Sequence, residues 1–290
     1  MKIGIFGREY QASKQNAVRH LFDLLTNKGA EVWVEPQFYD YFSQVFAYTP
    51  HIAGKIESDI FPFDAVVSLG GDGTFLRTAA WVGYQNIPIL GINTGHLGFL
   101  ATISVDEIEE MVNELFENQY RIEERNLLSF ESSLPFHGVS PFALNEAAFL
   151  KRDTASMIIV HAYLNDTFLT SYWADGLIIS TPTGSTGYNL SVNGPILLPE
   201  SHNFVLTPVA PHSLNVRPLV ISDDYVIRLE VESRNTNFLV SLDGRSEVFP
   251  SGSEFTIRKA DFNIHIIQRS HQTFYDTIRN KLMWGSHARI

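Results

Sequence analysis

The sequence predicts an α/β N-terminal domain built on a doubly wound, mostly parallel sheet, followed by a β-rich, sandwich-like second domain. Three observations carry this prediction. Strand-like and helix-like runs alternate over residues 1 to about 100, the pattern of helices wound on a parallel sheet. Farther on, short runs of alternating apolar and polar residues take over. Gly70-Gly71-Asp72-Gly73-Thr74 follows the apolar run Ala65-Val66-Val67-Ser68-Leu69 and precedes a helix-like run, which places it at the carboxyl end of a buried strand. Open α/β sheets bind their ligands there.

In chain order, residues 2–6 read as a strand, and Val18, Leu21, Phe22 and Leu25 recur at helical spacing until Lys28-Gly29 ends the helix. Glu31-Val32-Trp33-Val34 reads as a second strand. Residues 37–60 mix aromatic and polar side chains without a clear period and are expected to form an irregular or mobile insertion. Residues 64–69 and 87–92 supply further strands. Ser104-Val105-Asp106-Glu107 has the form of a capping box opening a helix, with Ile108, Val112, Leu115 and Phe116 inward and its acidic residues on a solvated face. In the β-rich part, Ile227, Leu229 and Val231 alternate with Arg228, Glu230 and Glu232. Asn165-Asp166 and Asp243-Gly244 signal hairpin turns. Residues 274–284 are helix-like and are expected to pack back on the first domain. The expected division is therefore 1–102 plus 269–290 for the α/β domain and 103–268 for the β-rich domain.

The 290 residues carry a formal net charge of −11 and no cluster of lysine and arginine, which argues against nucleic acid or an anionic membrane as partner. A bound polyphosphate then needs local help from arginine, backbone amides and a divalent cation. The chain has no cysteine, so disulfides and thiolate metal sites are excluded, and a reducing cytoplasm suits it. No apolar run approaches the ~18 residues of a membrane span, and Met1-Lys2-Ile3-Gly4-Ile5-Phe6 is too short for a signal peptide.

Four segments carry candidate chemistry. In Gly70-Gly71-Asp72-Gly73-Thr74 the glycine backbone can approach a polyphosphate, and the following helix offers unpaired N–H groups and the positive end of its dipole. The same residues also suit a plain tight turn. The loop is not a Walker loop, since no lysine follows the glycines, and Gly4-Ile5-Phe6-Gly7 does not open a dinucleotide Gly-x-Gly-x-x-Gly. Asn93-Thr94-Gly95-His96-Leu97-Gly98-Phe99 also follows a strand, and His96 suits a structural role as well as a catalytic one. Asn145-Glu146 interrupts an apolar stretch with groups able to donate to and accept from ribose hydroxyls or an adenine edge, although a bulge explains two polar residues equally well. The stretch from Asp175-Gly176 to Tyr188-Asn189 sets hydroxyls, glycines and an aromatic face behind a short apolar strand. It reads either as a phosphate and sugar site or as a Ser/Thr/Gly-rich surface loop.

In order and spacing these segments, with Asn193-Gly194-Pro195-Ile196 beyond, closely resemble the motif set of the NAD kinases over roughly residues 62–250. The Gly-Gly-Asp-Gly loop alone also resembles phosphofructokinases and the diacylglycerol and sphingosine kinases; the full set is specific. The resemblance implies transfer of the terminal phosphoryl group of ATP, or in some members of polyphosphate, to the 2′-hydroxyl of the adenosine ribose of NAD. It implies an active site in the cleft between the domains and Asp72 as the proton acceptor. Gly70, Gly71, Gly73 and Thr74 form the phosphate loop, and Arg77 is the nearby cation. Asn145 and Glu146 would hold the adenosine, Asp175 the nicotinamide part, and Phe99 would pack on a base. Thr186, Gly187, Tyr188, Asn189, Leu190 and Ser191 would line the dinucleotide pocket, joined by Ala210 and by Arg245, the latter reaching ligand across subunits. Magnesium is expected on the ATP phosphates with no dedicated protein cage, and the chain is expected to be a homo-oligomer, a dimer or tetramer. Gly187, Trp173 and Ser156 depart from side chains common in the family. The alternatives are a lipid kinase with the same loop, for which no basic amphipathic helix is present, and a non-catalytic NAD or NADP sensor, against which Asp72 speaks.

Overall fold

The computed structural model describes residues 1–8, 14–45, 48–58, 62–95, 98–137, 140–152, 157–234 and 236–285. The chain forms two compact units, one of residues 1–124 with 264–290 and the other of residues 125–263.

The first unit contains β1 (Lys2–Gly7), α1 (Gln15–Asn27), β2 (Glu31–Val34), α2 (Pro36–Val45), β3 (Gly54–Lys55), β4 (Ala65–Leu69), α3 (Asp72–Val82), β5 (Ile89–Asn93), β6 (Ile103–Ser104) and α4 (Ile108–Glu117). Two long strands, β7 (Tyr120–Ser132) and β18 (Ser253–Arg269), belong in part to each unit. Helix α6 (Phe274–Leu282) returns to the first unit, as the sequence predicts. The strand order is β18-β5-β4-β1-β2-β3, with every neighbouring pair parallel. The chain winds from β1 outward through β2 and β3, then restarts beside β1 with β4. The carboxyl ends of β1 and β4 therefore form the topological switch point of a doubly wound sheet. Ile3, Ile5, Val67, Leu69, Leu90 and Ile92 meet α1, α2 and α4 in one core. Helix α3 covers the opposite face, where Trp81 lies against Phe6 with ring centres 4.6 Å apart.

Two expectations for this unit are corrected. Residues 37–60 are not irregular throughout: α2 buries Phe38 and Phe42, one turn apart, and β3 pairs with β2. Aromatic residues on several sides of α2 mask its period. The acidic face of α4 is not simply solvated, because Arg269, buried at the end of β18, reaches Glu107 (3.1 Å), Glu110 (2.7 Å) and Glu114 (2.7 Å). These ion pairs and the buried Met111, Val112 and Leu115 tie α4 to the first unit, so the division falls at 124/125 and not at 102/103. The capping box itself forms, with the Glu107 carboxylate accepting from the Ser104 backbone N–H at 2.9 Å.

The second unit adds β8 (Phe142–Ala143), β9 (Glu146–Lys151), β10 (Ile158–Leu164), β11 (Thr167–Ala174), β12 (Gly176–Ser180), α5 (Tyr188–Ser191), β13 (Asn203–Val209), β14 (Leu219–Ser222), β15 (Ile227–Ser233), β16 (Asn237–Leu242) and β17 (Arg245–Pro250). An antiparallel sheet of order β14-β13-β12-β9-β16-β17 packs against antiparallel β11-β10-β15-β18, with Phe149, Phe204, Phe238, Phe249 and Phe255 in the shared core. This is the predicted β-rich layer pair. Both predicted hairpins form: Asn165-Asp166 (φ 47° and 63°) joins β10 to β11, and Asp243-Gly244 (φ 49° and 81°) joins β16 to β17. Left-handed φ at both central residues is what the tightest hairpin turn requires, and Asn, Asp and Gly tolerate it best.

Candidate active site

In the first unit, the buried strand β4 delivers Gly70 and Gly71 to the switch point, and Asp72 opens α3. A Cβ on Gly70 would lie 2.3 Å from Thr74 Oγ1, so only glycine permits this turn. A Cβ on Gly71 or Gly73 would meet no atom within 4 Å, so the space beside them is open to a ligand. The Asp72 carboxylate gathers the loop after β5: Phe99 N–H donates to Oδ2 at 2.9 Å, and Leu100 and Ala101 N–H donate to Oδ1 at 3.0 and 3.1 Å. Gly98 makes this approach possible, since a Cβ there would stand 1.9 Å from Asp72 Oδ1. Lys281 of α6 brings its Nζ to 3.7 Å from Asp72 Oδ2 and to 4.7 Å from the centre of the Phe99 ring. Phe99 is consequently buried and not laid open to a base.

Arg77 does not point along the glycine loop. Its guanidinium donates to the Gly7 carbonyl at 2.7 Å and lies 3.9 Å from Glu35 Oε2. It thereby closes one side of a cavity of about 520 Å³ lined by Gly7, Arg8, Gln37, Phe38, Tyr41 and itself, at the end of β1.

In the second unit, the Asp243 carboxylate accepts the backbone N–H groups of Leu144 (2.7 Å), Asn145 (2.9 Å) and Glu146 (3.0 Å). Burial raises its proton affinity, while these N–H groups and the Arg245 guanidinium oppose the shift. The device is the same as at Asp72: one carboxylate fixes a loop by three consecutive amides. Arg245 donates to the carbonyls of Leu242, Ser140 and Phe142, which ties it to the same loop within its own chain. From the other side the 181–187 segment presses on the same loop. Thr181 N–H donates to Asn145 O at 2.9 Å, and a Cβ on Gly184 would lie 2.1 Å from that oxygen.

Held in this way, Asn145 Oδ1 and Glu146 Oε2 are buried and have no hydrogen-bond partner among the described residues. Burial pushes the Glu146 carboxyl up to about 8, with the Asp243 charge adding to the shift and the Tyr188 N–H opposing it. A carboxyl shifted this way keeps its proton well above the usual carboxylate range, and in that form it can both donate and accept. Gly187 stands beside the pair, its missing Cβ 3.1 Å from Glu146 Oε2 and 3.2 Å from Asn145 Nδ2. Tyr188 and Ser191 are exposed, Thr186 and Leu190 half-buried.

Asn189 differs from the expectation of a pocket-lining residue. It is fully buried, with its amide donating to Ser185 O (3.0 Å) and Pro195 O (2.9 Å) and accepting from Thr207 Oγ1 (2.6 Å), so it shapes the segment from within. Asp175 pairs with Lys151 at 2.8 Å. Ala210 is exposed and holds φ at 43°, a conformation that costs a residue with a side chain and is common where chain geometry serves a ligand. Trp173 is exposed on β11. His96 and Ser156 lie outside the described residues. Sequence reasoning missed two participants: Asp243, visible only as a turn former, and Lys281, whose distance from the loop in sequence hid it.

Among the described residues no group of three or more His, Asp or Glu side chains is placed to hold a metal ion, and no helix is long and apolar enough to cross a membrane.

Residues 3–120 match the ATP-NAD kinase N-terminal domain and residues 144–269 the ATP-NAD kinase C-terminal domain. The NAD kinase of Bacteroides fragilis is 49% identical over 290 residues, covering 100% of both chains. Among solved structures, an NAD kinase from Archaeoglobus fulgidus in complex with ATP superposes with a TM-score of 0.76 at 26% identity, covering 98% of this chain and 99% of that one. Yeast NADH kinase complexed with NADH has the same fold, with a TM-score of 0.89 at 24% identity, covering 100% of this chain and 89% of that one. Two domain matches that together span most of the sequence, and a full-length relative at this identity, establish that the chain belongs to the NAD kinase family.

Proposed function

We propose that this NAD kinase transfers the terminal phosphoryl group of ATP to the 2′-hydroxyl of the adenosine ribose of NAD, yielding NADP and ADP. The observation that carries the acceptor assignment is the buried, partnerless pair Asn145 Oδ1 and Glu146 Oε2. A buried polar atom without a partner costs about 1–3 kcal/mol, and a ribose diol or adenine edge supplies the missing bonds. A lipid acceptor offers a lone hydroxyl on a long apolar body, a poorer match to two buried polar atoms. Tyr188, exposed beside them, offers a face for stacking, and Asp175 and Ala210 complete the dinucleotide contacts in this reading.

Asp72 orients the acceptor hydroxyl and receives its proton. Because phosphoryl transfer runs through a loose transition state, that proton leaves late, and a carboxylate already held by three amides serves as an orienting acceptor. The open space at Gly71 and Gly73 admits phosphate oxygens to the backbone. The cavity with Arg8 and Arg77 adds positive charge on the same side of the sheet. Magnesium enters as part of the substrate, on the ATP phosphates. We further infer a cytoplasmic homo-oligomer: β11 is an edge strand with Phe168 and Trp173 exposed, a surface that a second copy would cover.

The test is NADP formation by purified protein from NAD and magnesium-ATP, with Asp72→Asn alongside. Asp72→Asn is expected to lower kcat by roughly 10²–10⁴-fold, the range for loss of a positioned acid–base group, while calorimetry still shows NAD binding. Tight NAD binding by the wild-type protein with no NADP formed from ATP or polyphosphate would reject the kinase reading in favour of a sensor.

A further inference from the structure

In phosphoryl transfer negative charge is spread over the equatorial oxygens of the migrating group, and enzymes hold those oxygens with cations. The glycine loop of this chain has no lysine, and the guanidinium of Arg77 is committed to Gly7 O at 2.7 Å and turned toward Glu35. The cation that does stand at the acid comes from the other end of the sequence. Lys281 Nζ is 3.7 Å from Asp72 Oδ2, an ion-pair distance but too long for a hydrogen bond. Both Asp72 oxygens are already taken by the amides of Phe99, Leu100 and Ala101, and the ammonium makes no hydrogen bond among the described residues. Its three N–H donors are therefore available to an oxyanion placed next to Asp72.

The fold puts Lys281 there by construction. A capping box, Thr273 with Asp276, starts α6. Phe274 in the first turn meets the Phe99 ring at 6.4 Å between centres, and Lys281, two turns later on the same face, covers that ring at 4.7 Å. The aromatic face holds the ammonium by cation–π attraction without consuming its donors.

We propose that Lys281 is a catalytic residue of the transfer, binding the equatorial oxygens of the migrating phosphoryl group. The proposal rests on the kinase reading above. In the step, the 2′-oxygen forms its bond to the γ-phosphorus as the bond from that phosphorus to the bridging oxygen of ADP breaks. The hydroxyl proton passes to Asp72, and Lys281 keeps its protons throughout.

Lys281→Met retains a flexible stem over Phe99 and removes only the charge, whereas Phe274→Leu loosens the same contact and keeps the charge. In the full-length protein, Lys281→Met is expected to lower kcat roughly 10²–10³-fold, the cost of losing one oxyanion donor, with KM for NAD changed less than about threefold. Lys281→Arg is expected to restore kcat to within about tenfold of wild type, and Phe274→Leu to stay within that same margin. A Lys281→Met enzyme with kcat near wild type overturns the proposal. So does a Phe274→Leu enzyme as impaired as Lys281→Met, because packing would then account for the loss. Failure of the kinase reading is distinct, since it shows in the wild-type protein as absent turnover.

Discussion

Replacing Glu146 by glutamine tests the electrostatic account of the acceptor site. The carboxyl titrates near 4.5 when free and is pushed up to about 8 in the folded protein, first by burial and then by Asp243. Below pH 4.5 it is protonated in both states and has no effect on stability. Between 4.5 and 8 the folded state holds a proton that the unfolded state has lost, so stability falls as pH rises, by about 1.4 kcal/mol per unit. From pH 5 to pH 8 the fall is on the order of a few kcal/mol, and above 8 it levels off. Glutamine is neutral throughout and of the same shape, so Glu146→Gln removes this slope together with the coupling to Asp243. The assay is unfolding of both proteins followed from pH 5 to 9 without ligand. The difference between them is expected to widen in favour of Glu146→Gln by several degrees toward pH 8. Parallel curves over this range would refute the assignment of a raised, single-site titration to Glu146.

Two further outcomes follow from the packing. Gly98→Ala places a Cβ 1.9 Å from Asp72 Oδ1 and must displace the acid from the three amides it holds; kcat for NADP formation is expected to drop about 10²-fold, and the melting temperature to fall by several degrees. Asn189→Ala removes three buried hydrogen bonds and strands Thr207 Oγ1, so denaturant unfolding is expected to show a loss of about 2–4 kcal/mol.

Local rules made much of this molecule legible. Asn165-Asp166 and Asp243-Gly244 announced their hairpins because left-handed backbone selects few residue types; β1, β2 and β4 lay within a residue of their expected bounds, and α1 ended just before Lys28-Gly29 as expected. The glycine loop announced itself because its composition has few structural uses. What stayed hidden depends on partners distant in sequence. Nothing local shows that Arg269 will bury its guanidinium among Glu107, Glu110 and Glu114, or that Asp243 will gather three amides a hundred residues upstream. Asn189 misled for the opposite reason: its polarity suits a ligand, and only the packed structure shows that Ser185, Pro195 and Thr207 already use it.

The first unit is made of two pieces of chain, residues 1–124 and 264–290, with all of 125–263 between them. During synthesis at about 5–20 residues per second, the intervening stretch takes roughly 7–28 s to emerge. For that interval the apolar strand β5 lacks its neighbour β18 and has only the two-residue β6 on that side. An unpaired apolar edge of this kind invites pairing with other chains. The nascent first unit therefore waits, incomplete and prone to aggregate, until the end of β18 and α6 arrive, and a ribosome that stalls beyond residue 124 leaves an open sheet edge and no Lys281 beside the acid.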